Sequence, residues 1–198
     1  MNLPNKLTVF RIILVLVIVV FSLINIPGKL MGVPTNMLII DLIFIIASIT
    51  DKLDGYIARS RNQVTTFGKF LDPIADKILV LSAMVILVQM QHLPAWIPII
   101  VLFREFIVSG YRLVAVQSNG KVIAANVWGK VKTATQMIAI ILMLADANAY
   151  GAIFTEHLTG GAFALNLIDT ILMTVAVIAT IFSGYEYIKN GKDLLKDK

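Results

Sequence analysis

Long runs of apolar residues recur along this chain, and they constrain its fold more than any other feature. The first run extends from Leu7 to Ile26 and ends at the breaker pair Pro27-Gly28. About 20 residues of helix are needed to span a bilayer, and the chain offers roughly six such stretches. A chain that is 58% hydrophobic and only 15% charged is also too apolar for a water-soluble domain. The sequence therefore predicts an all-α integral membrane protein.

The predicted membrane helices and their connections use up the whole chain. Six transmembrane helices are expected, at residues 7–26, 37–60, 70–90, 94–116, 131–145 and 162–184. They leave no room for a soluble domain, so residues 1–198 are expected to form a single membrane domain. The opening residues 1–6 precede the first apolar run. They are expected to lie at the membrane interface as a short amphipathic segment.

Basic residues orient the predicted helices in the membrane. If successive spans cross the membrane in alternating directions, all but one of the 17 Lys and Arg residues lie on the same side of the membrane. The exception is Lys29. The positive-inside rule assigns the basic side, with both termini, to the cytoplasm. This orientation explains the net charge of +5, so no nucleic-acid partner is expected. The absence of cysteine excludes disulfides and thiolate metal sites.

Four aspartates stand near the cytoplasmic ends of the second and third predicted helices. Asp51 and Asp54 share one helix face, and so do Asp72 and Asp76, because residues three or four apart are neighbours on a helix. Four converging carboxylates in a low-dielectric setting repel one another unless positive charge joins them. Oxygen ligands select hard cations, so two divalent ions, Mg²⁺ or Mn²⁺, are predicted. The alternative is a set of interfacial carboxylates paired with nearby Lys and Arg residues.

These residues resemble a family signature. The pattern D-x-x-D-G-x-x-A-R, followed by G-x-x-x-D-x-x-x-D, is that of the CDP-alcohol phosphotransferases. Every fixed position is matched here, by Asp51, Asp54, Gly55, Ala58, Arg59, Gly68, Asp72 and Asp76. The resemblance extends to the opening Asn2–Arg11, to Arg104-Glu105 and to Gly129–Thr133. It implies a six-helix membrane enzyme that transfers a substituted phosphoryl group from a CDP-linked donor to an alcohol, with release of CMP.

The resemblance also implies substrates and residue roles. Within the family, the chain is most similar to bacterial members that use CDP-diacylglycerol as donor and sn-glycerol 3-phosphate as acceptor. By this resemblance the four aspartates hold the metals, and Asp76 is the general base for the acceptor hydroxyl. The donor's cytidine is expected against Gly55 and Ala58, with Arg59 near its phosphates and Gly68 as a further small residue. Family members also imply a homodimer, here in the bacterial cytoplasmic membrane with its site facing the cytoplasm.

Polar residues of the first, fourth and fifth helices complete the predicted site. Asn5 and Thr8 are expected either to contact the donor or to cap the first helix. Glu105 is expected to orient a neighbouring cation, and Tyr187 is assigned to an interfacial aromatic belt. Basic residues within the apolar stretches are expected to bind the acceptor phosphate, with anchoring at lipid phosphates as the alternative. They are Arg104, Arg112, Lys130 and Lys132.

Two other functions stay open at the level of the sequence. Another CDP-diacylglycerol-dependent transferase, with serine, inositol phosphate or phosphatidylglycerol as acceptor, would share the signature. A cation transporter would use the carboxylates as an ion site, but inverted repeats, broken helices and a midplane site are not evident. The sequence assigns no role to Asp41 and Asp169, two acidic residues inside the predicted spans.

Overall fold

Long helices dominate the structure, as the apolar pattern predicts. The computed structural model describes residues 2–60, 65–117 and 127–191. In these ranges the helices are α1 (Leu3–Leu23), α2 (Thr35–Ser60), α3 (Thr66–Gln89), α4 (Trp96–Gln117), α5 (Val127–Ala145) and α6 (Gly160–Gly191). A small antiparallel hairpin, β1 (Lys29–Leu30) with β2 (Val33–Pro34), joins α1 to α2. A short 3₁₀ helix (Ala152–Phe154) lies between α5 and α6.

Helix α1 begins earlier than predicted. The Asn2 side chain caps it by accepting a hydrogen bond from the backbone N–H of Asn5 at 3.3 Å. Pro4 lies in the first turn, where a missing N–H breaks no helical hydrogen bond. Residues 3–6 are therefore the first turn of a long helix and not a segment separate from it. Their predicted position at the membrane interface stays a prediction.

Helix α3 also begins before its predicted boundary at residue 70. Thr65 caps it, because its hydroxyl accepts a hydrogen bond from the backbone N–H of Gly68 at 3.0 Å. Helices α5 and α6 are also longer than their predicted apolar cores. Helix α5 begins earlier, at Val127, and α6 ends later, at Gly191. Hydropathy locates the part of a helix that lipid surrounds, whereas capping and packing determine where the helix begins and ends.

Among the described residues, three helices are long and apolar enough to cross a membrane by length and composition: α1, α5 and residues Gly160–Lys189 of α6. The other three are of comparable length. They are less apolar because they carry the charged residues of the predicted site. The apolar helices indicate a membrane protein.

The helices pack as two groups that meet through α2 and α5. Helix α1 packs against α2 and α3, and α6 packs against α4 and α5. The core between them is built from fully buried apolar side chains such as Ile18, Phe44, Leu87 and Ile140. Many other apolar side chains face outward, as expected of a surface in contact with lipid. This packing brings together the ends of α1 to α5 at which the predicted site residues lie.

A polar network closes the opposite end of the bundle. Asn166 donates hydrogen bonds to Asp146 Oδ2 at 2.8 Å and to the carbonyl of Ala149 at 3.0 Å, which fixes the α5–α6 connection. Asp169 is buried beside this network and accepts a hydrogen bond from the Thr170 hydroxyl at 3.2 Å. In the described part of the chain, this network contacts none of the signature aspartates.

Candidate active site

One turn of α1 contacts every signature aspartate. Two helices supply these side chains: Asp51 and Asp54 from α2, and Asp72 and Asp76 from α3. The contacts from α1 are made by Thr8 and Arg11, which lie three residues apart on one helix face. The predicted convergence of the two pairs of aspartates is therefore seen, with a third helix at its centre.

Arg11 is the residue that ties the cluster together. Its Nη1 lies 3.0 Å from Asp51 Oδ1 and 2.6 Å from Asp76 Oδ1, and its Nη2 donates to Asp54 Oδ2. The side chain is completely buried, although Arg11 stands within an apolar run. From the sequence, Arg11 is one of the orienting basic residues and the last residue of the opening stretch that resembles the family, without a role in the site. Its place in the site is a finding of the structure.

Thr8 holds the fourth aspartate through a neutral contact. Its hydroxyl lies 2.7 Å from Asp72 Oδ1 and 3.5 Å from Asp54 Oδ2. The Asn5 side chain accepts a hydrogen bond from the Thr65 hydroxyl at 2.9 Å, which ties α1 to the start of α3. The capping alternative is wrong for Thr8 and Asn5, because Asn2 caps the helix.

The structure describes only some of the residues that are predicted to bind the donor. A Cβ atom on Gly68 would lie 2.9 Å from Asn5 Oδ1 and 3.2 Å from the Thr65 hydroxyl, so the protein itself fills the space beside this glycine. Gly68 therefore allows α1 and α3 to approach closely. Gly55 is half-buried on α2. The side chains of Ala58 and Arg59 lie outside the described part of the structure.

A second cluster, of basic residues, is organised around Glu105 of α4. Glu105 Oε1 accepts a hydrogen bond from Arg104 Nη1 at 2.9 Å and another from Lys132 Nζ. Lys77 Nζ lies 4.0 Å from Glu105 Oε2 and donates to the Ser109 hydroxyl at 2.6 Å. The predicted orienting role of Glu105 is confirmed, and Lys77 joins a cluster to which the sequence analysis did not assign it.

Tyr187 of α6 supports two of the predicted acceptor-binding residues. Its ring lies 5.8 Å from the guanidinium carbon of Arg104 and 5.9 Å from that of Arg112. Arg112 Nη2 also donates to the Tyr187 hydroxyl at 3.1 Å. The side chain of Tyr187 is only 2% exposed, so its assignment to an interfacial aromatic belt is wrong.

Two cavities lie beside the clusters and share part of their walls. The smaller, of about 280 Å³, lies between α3, α4 and α5. Its polar lining includes Asp76, Lys77, Arg104, Glu105, Arg112 and Lys132. The larger, of about 710 Å³, is lined by apolar residues of α2, α3 and α5 and reaches Asp51, Asp76, Arg104, Arg112 and Lys130. Asp76 therefore faces the space that the basic residues also face.

The aspartate cluster suits a divalent cation in donor type and in charge. In the described ranges, no group of three acidic or histidine side chains is arranged to hold a metal ion as it stands, and Arg11 lies among the carboxylates. The donors are all carboxylate oxygens, which hard cations prefer. Every ion pair that these aspartates make within the same ranges goes to Arg11. One positive charge thus faces four carboxylates, which leaves room for further positive charge.

The fold and the site together define a class of membrane protein in which an acidic cluster on two helices lies beside a basic pocket. The family model described as CDP-alcohol phosphatidyltransferase matches residues 1–182. The chain belongs to this family. The family resemblance drawn from the signature is therefore confirmed.

Curated relatives match over nearly their full length. The chain is 42% identical to the CDP-diacylglycerol--glycerol-3-phosphate 3-phosphatidyltransferase of Bacillus subtilis (strain 168), with 98% of this chain and 97% of the relative covered. It is 38% identical to the protein of the same name from Haemophilus influenzae, with 99% and 96% covered. A third relative of that name, from Rickettsia bellii, is 37% identical, with 96% of each chain covered.

Proposed function

We propose that the protein transfers the phosphatidyl group of CDP-diacylglycerol to sn-glycerol 3-phosphate, giving phosphatidylglycerophosphate and CMP in phospholipid biosynthesis. One observation carries the proposal: Asp76 of the acidic cluster and the cations around Glu105 line the same cavity. An acidic cluster that can hold metal serves a pyrophosphate donor, and a basic pocket serves an acceptor that carries a phosphate. The shared name of the relatives supports this pair of substrates.

Two divalent ions, Mg²⁺ or Mn²⁺, are part of the proposal. The residues that would hold them are Asp51, Asp54, Asp72 and Asp76. When bound, such ions neutralise charge on the pyrophosphate and acidify the attacking hydroxyl. The protein's own contribution is to bring four carboxylates from α2 and α3 to one place, which the contacts of Thr8 and Arg11 achieve.

Asp76 is the proposed general base. Its carboxylate lies in the wall shared by both cavities, between the aspartate cluster and the basic residues. In the reaction, the acceptor hydroxyl loses its proton to Asp76 while its oxygen forms a bond to the phosphatidyl phosphorus. The bond from that phosphorus to CMP breaks, and CMP leaves with the electron pair. In the structure, Asp76 Oδ1 accepts a hydrogen bond from Arg11 Nη1 at 2.6 Å.

The acceptor phosphate is proposed to bind among Arg104, Arg112, Lys130 and Lys132. Glu105 holds two of these, Arg104 and Lys132, whereas Arg112 has no carboxylate partner within the described ranges. Serine lacks a phosphate and gains little from these charges. A cavity of about 280 Å³ suits a small acceptor better than the second lipid that phosphatidylglycerol would be. The pocket thus favours a small phosphorylated alcohol.

The membrane arrangement follows from the same residues. We propose that all six helices span the bacterial cytoplasmic membrane and that the site faces the cytoplasm, in a homodimer. The larger cavity has apolar walls, so a lipid donor can enter from the bilayer while glycerol 3-phosphate enters from water. Gly55, Ala58 and Arg59 are the proposed donor contacts. The remaining donor-side residues, Asn5, Thr8 and Gly68, shape that side of the site.

A cation transporter accounts less well for these features. Transporter sites lie near the bilayer midplane between repeated halves of the protein. The signature aspartates instead lie at one end of the bundle, and three of them are paired with Arg11. A transport site also gives no reason for a basic pocket beside the carboxylates.

The test is to offer purified protein CDP-diacylglycerol and Mg²⁺ with one acceptor at a time. The acceptors are glycerol 3-phosphate, serine, inositol phosphate and phosphatidylglycerol, and the measurement is CMP release. We expect release with glycerol 3-phosphate, and only background release with the other three. The Asp54→Ala variant serves as the inactive control. Faster release with another acceptor, or none with any, would overturn the proposal.

A further inference from the structure

Arg11 contacts the same carboxylates that the proposed metal ions require. We propose that Arg11 is an internal counter-cation: it holds Asp51, Asp54 and Asp76 together in the metal-free protein, and it competes with divalent ions for their oxygens. Arg11 is thus a positioning residue that adjusts the affinity of the site for metal. The inference rests on the proposed function in one respect, namely that divalent ions bind to these aspartates.

The contacts of Arg11 carry the argument for competition. Its two terminal nitrogens contact one oxygen of each of three aspartates, from both α2 and α3. An oxygen that accepts a short hydrogen bond from a guanidinium is less available to a metal ion. A divalent ion that binds these aspartates therefore has to weaken at least some of the contacts with Arg11. Asp72 differs, because its partner Thr8 is neutral and does not repel an incoming cation.

The burial of Arg11 makes this competition strong. The side chain is 0% exposed, so water screens its charge little from the carboxylates or from an incoming ion. The Nε atom of Arg11 is also buried without a hydrogen-bond partner in the described ranges. The carboxylates therefore satisfy only part of this side chain.

The alternative is that Arg11 only clamps α1, α2 and α3 together. The two roles predict different responses to metal. A clamp contributes the same stability with and without divalent ions, because the ions would bind beside it. A counter-cation contributes most when metal is absent, and its removal leaves a more negative site that binds metal more tightly.

The experiment compares wild type with Arg11→Gln, which removes the charge and keeps most of the side chain's length. Thermal unfolding is followed in detergent, in chelator and at rising Mn²⁺, and Mn²⁺ affinity is measured separately by electron paramagnetic resonance. We expect Arg11→Gln to unfold at a lower temperature than wild type in chelator and to recover most of the difference at saturating Mn²⁺. Its affinity for Mn²⁺ should rise at least ~10-fold, because a buried charge next to the ion has been removed.

Two further variants separate charge from packing. Arg11→Lys keeps the positive charge, so its Mn²⁺ affinity should stay close to that of wild type. Asn166→Ala removes a buried polar side chain at the other end of the bundle. It should lower the unfolding temperature equally in chelator and in Mn²⁺, without changing Mn²⁺ affinity.

Several results would overturn the inference. They are an unchanged or weaker Mn²⁺ affinity in Arg11→Gln, an equal loss of stability at all Mn²⁺ concentrations, and failure of this variant to fold even with saturating Mn²⁺. If wild type needs divalent ions for CMP release while one of these results is found, the role of Arg11 is wrong and the proposed function stands. If wild type binds no Mn²⁺ and releases CMP without it, the metal part of the proposed function is wrong as well.

Discussion

Arg112 provides the most direct test of the acceptor pocket. Arg104 and Lys132 are both paired with Glu105, whereas Arg112 contacts the neutral Tyr187 and lines both cavities. A substrate phosphate can therefore engage the charge of Arg112 without displacing a carboxylate from the described part of the chain. Replacing Arg112 by Ala should remove a contact to the acceptor and leave the ion pairs of Glu105 in place.

The size of the effect follows from the kind of contact that is lost. A hydrogen bond to a charged group contributes about 1.5–3 kcal/mol, which is roughly ten- to a hundred-fold in affinity. Arg112 is an exposed residue, so solvent screening places the expected effect in the lower part of this range. The KM for glycerol 3-phosphate should therefore rise about ten- to thirty-fold. The KM for CDP-diacylglycerol should change little, because the proposed donor site lies on α1, α2 and α3.

The assay is CMP release, with one substrate varied while the other is saturating. Arg112→Lys should recover part of the loss because it restores the charge. Lys189→Ala is the matched control, since it removes an exposed positive charge near the end of α6, outside both cavities. An equal rise in KM for both substrates would indicate that Arg112 has only a structural role. No change for either substrate would favour the alternative that it anchors the protein at lipid phosphates.

Three further predictions concern the metal, the base and the packing of α1. Chelation of divalent ions should reduce CMP release to background and added Mg²⁺ or Mn²⁺ should restore it; an undiminished rate in chelator would contradict the metal site. Asp76→Asn should lower kcat at least ~100-fold, as expected for loss of a general base, and near-normal turnover would exclude that role. Gly68→Ala should destabilise the protein by about 1 kcal/mol, because its new methyl group would displace the Asn5 side chain from its hydrogen bond with Thr65. Gly110→Ala, which meets nothing within 4 Å, is its control in thermal unfolding, and equal melting temperatures would refute this reasoning.

The helices and the acidic cluster are predictable from the sequence for a simple reason. Apolar runs locate helices without knowledge of their neighbours. The spacing within each aspartate pair places both carboxylates on one helix face, and the short connection between α2 and α3 brings the two pairs together. The local pattern and the few residues of sequence between the two helices are thus sufficient to predict this half of the site. The helix ends were less predictable, because Asn2 and Thr65 determine them through capping contacts that hydropathy does not register.

The residues that the sequence analysis missed all depend on contacts between distant parts of the chain. An Arg near the cytoplasmic end of an apolar run normally serves as a membrane anchor, and only the packing of α1 against α2 and α3 makes Arg11 part of the site. The same reason makes the aromatic-belt prediction for Tyr187 wrong, since its position near a helix end does not reveal that side chains of α4 cover its ring. A usable signal for Arg11 did exist. Asn5, Thr8 and Arg11 are polar residues spaced three apart along one face of a largely apolar helix, which indicates a polar partner on that face.

The arrangement around Asp76 explains how opposite charges remain available to two substrates in one small site. Asp76 and Lys77 are adjacent in α3, so their side chains point about 100° apart around the helix axis. Asp76 faces Arg11 of α1, whereas Lys77 faces Ser109 and Glu105 of α4. Each cluster thus has its own internal counterion, Arg11 among the carboxylates and Glu105 among the cations. Within the described ranges no ion pair joins the two clusters, so neither neutralises the other and each keeps a net charge for the substrate that it binds.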